Sequence, residues 1–492
     1  MSIAFHVSDV LQHHRCPVLF LNRSLNPQRN ITQFIQMTQS PTDCLLEKLH
    51  ISEYVSGYRG MDYQESITAL NENKTLVNGR FEYLNLRLKV PLIIVRPEGL
   101  DLYFTSMSTY PKQEDSRYYS MHLWVLEGLG FSVHQIYTMT FNASYQRLNA
   151  LDIDACFTIN DVFTKDTGKV IGNILSQIKS RKYDISEDLA EMQAILDLKK
   201  AHPTIETCPL LTRCNYFKTC FAQETYESAN SVLYLTQSKE KRTFLKEGIY
   251  TMDKIPLDRI EGSAQQYAQI MAVREGGLYV QQYALKQWLN ELDLDHLNFL
   301  DFEWDTYGLP PFTNMKPFDP VCFQYSLHTY HDGNLNHYEF LETGDTRLSF
   351  IKSLLSQVPK DGPIIAYNAF GAETIRLKEL AFQFPAYRKE LLALVERFVD
   401  LEEVFDLGLV YDVRMKGLYS LKSIIQVVDP TMNYDQLSIS HGMDAVMHYR
   451  NYAKQDEDEE TMDALLKYCR MDTLAMVEII KWLMNLAGET YA

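Results

Sequence analysis

Two acids, Asp301 and Glu303, stand two residues apart in the apolar run HLNFLDFEW. On a β-strand alternate side chains share a face, so that spacing predicts both carboxylates on one side. Crowded carboxylates repel one another unless a cation neutralises them. Mg²⁺ and Mn²⁺ take such oxygen ligands, and a pair of ions about 3.5–4 Å apart clamps the attacking and leaving oxygens of a phosphodiester. An edge strand with two solvated acids fits the same spacing. Further acids lie downstream. IIAYNAFGAETIRLKELA reads as a strand running into a helix, with Asn368 at the strand end and Glu373 on the first helical turn. Either a metal ligand or a solvated acid favoured by the helix dipole fits there. Near the C-terminus, LLKYCRMDTLAMVEIIKWL is amphipathic and sets Tyr468 and Asp472 at i and i+4, on one helix face. A phenol in that place can orient or help deprotonate a water while the carboxylate completes a metal cage. Taken alone, Tyr468 also fits an ordinary half-buried helix aromatic. Lys422, in YSLKS, is placed to touch phosphate or to sit in solvent.

A second pattern is made of thiols. Cys208, Cys214 and Cys220 form C-x5-C-x5-C. Equal spacing lets thiolates wrap a soft metal or an iron–sulfur cluster, whereas the C-x2-C pairs of a zinc ribbon are absent. Three ligands leave one position open, and Cys16 in VLQHHRCPVLFL is the candidate fourth. Free cysteines are also commonly small buried hydrophobes. Regular spacing beside Pro209 and aromatics favours ligation.

The elements that must position these groups are α/β. Residues 75–145 alternate strand-like runs (YLNLRLKVPLIIV, LDLYFTSMS, SVHQIYTMTF) with a helix, SRYYSMHLWVLEGLG. Helical spacing marks residues 161–201 and 262–291. HLNFLDFEW, DPVCFQYSLHTY and LNHYEFLE follow as strands, then the helix LSFIKSLLSQV, the strand GPIIAYN, and mostly helices to the end. The boundary between two domains is placed near residue 275, giving 1–275 and 276–492. A hairpin-rich sheet followed by α/β alternation suits a ribonuclease H-like layered fold. The acidic run Asp456 to Glu460 reads as a solvated helix start or loop.

The 492 residues carry 46% hydrophobic and 23% charged residues, an ordinary folded composition. The formal charge of −17 disfavours a generic nucleic-acid coat, which draws its affinity from Lys and Arg on phosphates. The excess is local, with a net of −1 over residues 1–250 and −16 over residues 251–492. The N-terminus lacks the basic and apolar regions of a secretory signal, and there is no uncharged apolar run of eighteen or more residues. A cytoplasmic location without membrane attachment is therefore expected.

In order, Asp301-x-Glu303, Asn368 to Glu373, and Tyr468-x-x-x-Asp472 resemble the motifs of the DEDD superfamily of 3′-to-5′ exonucleases. The tyrosine subclass, as in ribonuclease D and polymerase proofreading domains, is the one matched. The third motif is the specific one. The second departs from the pattern, with Glu373 where the superfamily usually has Asp. The N-terminal Cys and the C-terminal Cys triad around an α/β core resemble the iron–sulfur members of the PD-(D/E)xK nucleases, such as the CRISPR-associated adaptation nuclease and the AddB-type recombination nuclease. LDFEW, PVCFQYSLH, GLYSLKSIIQVVDP, YCRMDT, CPVLFL and the cysteine segment together resemble an uncharacterised bacterial domain-of-unknown-function family that joins these two halves.

The resemblance implies that Asp301, Glu303, Glu373 and Asp472 hold two Mg²⁺ or Mn²⁺ ions and that Tyr468 positions the attacking water. It further implies that Cys16, Cys208, Cys214 and Cys220 hold a 4Fe-4S cluster, and that DNA or RNA, single-stranded or at 3′ ends, is the substrate. The first half departs from its pattern, because Pro91, Phe104 and Ser106 stand where the catalytic Asp, Glu and Lys belong. It is expected to be a catalytically degenerate scaffold or strand-binding surface, with Lys179, Arg181, Lys182, Lys199 and Lys200 forming either a basic groove or a solvated helix face. The rival reading is a non-catalytic nucleic-acid-binding or assembly subunit of a repair or defence complex, in which both nuclease folds are structural.

Overall fold

The computed structural model describes residues 4–26, 34–181, 183–205, 207–221, 228–260, 262–454 and 458–488. The chain divides into two compact units, residues 1–209 with 307–319, and residues 210–306 with 320–492. Residues 210–275 therefore fall in the second unit. Both units are mixed α/β.

The first unit is built on a seven-stranded mixed sheet. Its strands are β1 (Phe5–His6), β2 (Val55–Ser56), β3 (Leu76–Tyr83), β4 (Leu86–Arg96), β5 (Gly99–Thr105), β6 (Val133–Phe141) and β7 (Phe157–Asn160), in the order β2-β3-β4-β5-β6-β7 with β1 pairing β4. The run from Tyr83 to Val95, read from the sequence as one strand, turns at its start. Tyr83 pairs with Leu86, and Leu84 and Asn85 between them have φ of 42° and 68°. Two successive positive φ values make the tight hairpin loop whose twist matches its strands. Helix α1 (Ser116–Gly128) buries Tyr119, Met121, Leu123, Val125 and Leu126 in the core formed with Leu88, Val90, Leu102 and Phe104.

In the second unit five strands pair in the order β10-β9-β8-β11-β12. These are β8 (His296–Tyr307), β9 (Pro320–His331), β10 (Asn334–Leu341), β11 (Ile364–Ala366) and β12 (Phe398–Asp400). The β8-β9-β10 meander is antiparallel, while β11 and β12 run parallel to β8. Eleven of the twelve residues of β9 are buried, because helices or strands cover both of its faces. The three-residue strands β11 and β12 complete the parallel part. The latter was not legible, since three residues carry too little alternation to register.

Four helices matter to the site: α2 (Glu373–Gln383), α3 (Leu421–Val428), α4 (Gly442–Tyr452) and α5 (Glu459–Ala487). The Asp458 carboxylate accepts the Thr461 N–H at the start of α5, and Gly488, with φ of 76°, ends it in the left-handed conformation. Asp458 and the helix that follows match the expected helix start; Asp456 and Glu457 lie outside the described residues. Three hydrogen bonds fix the rotation of α5 on β9. Gln324 Nε2 donates to Leu465 O at 2.7 Å, and the Thr473 hydroxyl meets Ser326 Oγ at 2.7 Å and His328 Nδ1 at 2.8 Å. With position 473 held against β9, its neighbour Asp472 is turned towards β8.

Candidate metal centre

Asp301 and Glu303 lie on one face of β8, as their spacing requires. A β-bulge follows at once: Glu303 pairs with Gln324 but Trp304 pairs with Cys322, leaving Phe323 as the extra residue. Bulges re-aim side chains, and this one sits at the point where the acids gather. Carboxylate oxygens of Asp301, Glu303 and Asp472 come within 4.8 Å of one another, so three acids from a strand and a helix form one group able to hold a cation. None of the three forms an ion pair with a described residue.

Burial and mutual repulsion raise the carboxyls of Asp301 and Glu303 well above the usual carboxylate range. Asp472 is pushed up to about 6 by burial, although hydrogen bonds from Tyr434 and Tyr468 and the charge of Lys422 pull it down. Lys422 supplies part of the compensating charge to Glu303 and Asp472 without forming an ion pair, so protons or metal ions must supply the rest.

Glu373 begins α2 as expected, but it is not a solvated first-turn acid. It is 3% exposed, and burial raises its carboxyl to about 8. It stands outside the three-acid group, yet its charge is felt by both Asp301 and Glu303. One oxygen, Oε2, is buried with no hydrogen-bond partner among the described residues. An orphaned carboxylate oxygen beside three converging acids is the donor chemistry that a hard divalent cation satisfies. Asn368 lies in the turn between β11 and α2 with φ of 59°, and its N–H donates to the Asp400 carboxylate at 2.9 Å. Its own side chain is exposed and holds no place among the acids.

Tyr468 is buried, one helical turn before Asp472. Its phenol is pushed upward by burial and by the charges of Asp472, Glu303 and Asp301, so it stays protonated at neutral pH. Lys422, on α3, donates to the Tyr468 hydroxyl at 2.9 Å and to Ser440 O at 2.5 Å, and lies over the rings of Tyr468 and Tyr434 at 4.7 and 4.9 Å. It is thus held by the protein rather than free in solvent.

Three residues around the acids went unread in the sequence. The Tyr434 hydroxyl donates to Asp472 Oδ1 at 2.5 Å, and the Cys469 thiol donates to Asp301 Oδ2 at 3.2 Å. Gly442, at the start of α4, is so near that a Cβ there would lie 3.8 Å from the Tyr468 hydroxyl and 4.0 Å from Glu303 Oε2. Only Cys469 had a signal, its position beside Tyr468 on the same helix. Tyr434 lies in a short 3-10 turn with no pattern of its own.

The thiol pattern fares differently. Cys16 and Cys208 belong to the first unit, Cys214 and Cys220 to the second, and no cysteine appears among the described groups of three or more ligands within metal-holding distance. Among the described residues of the first unit there is no such group, and Pro91 and Phe104 are buried and apolar. Lys179, Arg181, Lys199 and Lys200 are exposed, with Lys179 Nζ 3.6 Å from Glu127; Lys182 lies outside the described residues. Among the described residues no helix is long and apolar enough to cross a membrane.

Residues 298–420 match a family described as "Domain of unknown function (DUF2779)", a quarter of the chain that takes in Asp301, Glu303 and Glu373 but not Tyr468 or Asp472. No curated protein matches the chain. Among solved structures, the chain is similar to the family B DNA polymerase of the hyperthermophilic archaeon Pyrobaculum calidifontis at 14% identity and a TM-score of 0.24. The likeness covers 38% of this chain and 24% of the polymerase.

Proposed function

We propose that the second unit is a DEDD-type, two-metal-dependent 3′-to-5′ exonuclease that hydrolyses phosphodiester bonds of DNA or RNA. The observation that carries this reading is the convergence of Asp301, Glu303 and Asp472 with the Tyr468-x-x-x-Asp472 helix face. Asp301, Glu303 and Asp472 would hold the ions, with Glu373 supplying its orphaned oxygen to the same charge. When bound, Mg²⁺ or Mn²⁺ contributes positive charge to the scissile phosphate and to the attacking water. Tyr468, protonated and held by Lys422, orients that water by hydrogen bonding rather than removing its proton. Tyr434 and Cys469 fix the carboxylates of Asp472 and Asp301 from behind, as outer partners do around metal ligands.

The test is release of mononucleotides from end-labelled single strands, DNA and RNA in parallel, with Mn²⁺ present. Wild type is expected to release them and Asp301→Ala to lose roughly 10³-fold in rate, the value of several kcal/mol of charge stabilisation. Equal rates in both proteins would overturn the proposal. Strands retained without cleavage, and no Mn²⁺ bound, would establish the non-catalytic binding subunit instead. The iron–sulfur expectation on Cys16, Cys208, Cys214 and Cys220 is supported by residue spacing alone; its readout is a brown protein on anaerobic purification.

A further inference from the structure

A second ligand group lies towards the opposite end of β8 from the acids. His296 opens β8 and pairs across the ladder with His331, the last residue of β9, and their rings stand 5.1 Å apart. Asp361, in the turn leading to β11, completes a trio whose ligand atoms lie within 4.8 Å of one another. Two imidazoles and one carboxylate differ in kind from the all-oxygen group around Asp301.

The hydrogen bonds around the trio leave one nitrogen of each ring open to a ligand. Metal-bound histidines characteristically use one ring nitrogen for the ion and anchor the other on a carboxylate or carbonyl oxygen. Both rings here have one nitrogen so engaged. His296 Nδ1 meets Asp293 Oδ2 at 3.0 Å, and His331 Nε2 meets Asn298 Oδ1 at 3.2 Å. Asn298 is fully buried, and its amide donates to Asp361 O at 3.0 Å and Pro363 O at 3.1 Å. One buried amide thus positions His331 and the turn that carries Asp361. Asp332 Oδ1 lies 3.8 Å from His296 Nε2, the ring nitrogen that Asp293 leaves open.

We infer that His296, His331 and Asp361 bind a zinc-class transition-metal ion. Mixed imidazole and carboxylate donors, three from protein with a fourth position for water or Asp332, suit Zn²⁺ and Co²⁺ better than Mg²⁺. The ion would clasp the β8-β9 ladder end to the turn before β11. The inference is independent of the exonuclease reading, since it uses no residue of that site.

Chelator-treated full-length protein titrated with Zn²⁺, and separately with Co²⁺ followed by its visible absorption, tests it. Beyond the Zn²⁺ taken up by the acid cluster, which Asp301→Ala weakens, wild type and Asp301→Ala are both expected to bind one tight equivalent at the trio and to gain thermal stability with it. His331→Gln and the exposed-loop variant Asp361→Asn are expected to lose that equivalent, while Asp293→Asn weakens it roughly 10- to 100-fold. Should His331→Gln misfold, Asp361→Asn carries the comparison. Uptake of Zn²⁺ that is absent from wild type, or equal in wild type and Asp361→Asn, would overturn the site.

Discussion

In the first sheet the buried carboxylate of Asp101 lies between Arg96 Nε, at 3.0 Å, and His134 Nδ1, at 2.8 Å. At the second, Asp301 and Glu303 of β8 face Asp472 of α5, and none of the three has an ion-pair partner among the described residues. The same chemical group is thus neutralised by side chains in one unit and left to protons or metal in the other. Asp305 shows that the difference is not a property of the strand. It sits two residues beyond Glu303 on β8, fully buried, and Arg450 of α4 grips it with Nε at 2.9 Å and a terminal nitrogen at 2.6 Å. Asp101 and Asp305 each have a guanidinium, and buried Asp400 has backbone N–H donors from Asn368, Phe370 and Glu402; acids gathered without such a cation have function as the physical reason to be kept.

Removing the cation from Asp305 gives the largest expected effect. Arg450→Met leaves a fully buried carboxylate unpaired and is expected to cost about 3–5 kcal/mol in denaturant unfolding, with much of the loss recovered by adding Asp305→Leu. A wild-type midpoint in Arg450→Met would mean that the pair does not separate Asp305 from its neighbours. Tyr468→Phe removes only the hydroxyl that Lys422 holds. The rate of mononucleotide release should fall about 10²-fold while Mn²⁺ affinity and melting temperature stay near wild type; a parallel fall in Mn²⁺ affinity would place Tyr468 among the ligands instead.

Acidity sharpens the contrast further. Carboxyls raised in the folded state bind more protons there than in the unfolded chain, so their contribution to stability is full below the ordinary carboxylate range. It is lost as pH rises through the folded values, about 6 for Asp472 and about 8 for Glu373. Metal-free protein should therefore melt at lower temperature as pH goes from about 5 to about 8, and Mn²⁺ should restore the loss most at the upper end, where protons no longer compete. A melting temperature that rises across that window without metal would contradict the raised carboxyls. The smallest effect is expected in the first sheet. Arg96 is 46% exposed, so Arg96→Gln should cost about 1 kcal/mol or less and leave Mn²⁺ binding unchanged.

Much of the second sheet was legible. HLNFLDFEW, PVCFQYSLHTY and LNHYEFL alternate or run apolar over seven residues or more, and they form β8, β9 and β10. Tyr468 and Asp472 share a helix face for the same geometric reason. Arg450 was not legible as a partner, although a lone Arg four residues after Val446 on the buried stripe of α4 is a signal that could have been followed. His296 and His331 lie 35 positions apart in the sequence, and only the hairpin register sets them opposite each other.

Residue type and short-range periodicity determined which side chains share a face: Asp301 with Glu303 on a strand, Tyr468 with Asp472 on a helix. These follow from periods of 2 and 3.6 residues, which are local. Tertiary structure alone decided which faces meet and which acids receive a cation. Whether a carboxylate pairs with arginine, as Asp305 does, or gathers with others, as Asp301 does, depends on contacts between segments more than 140 residues apart. No local rule carries that information, because burial and charge pairing are set by packing rather than by neighbours in the chain.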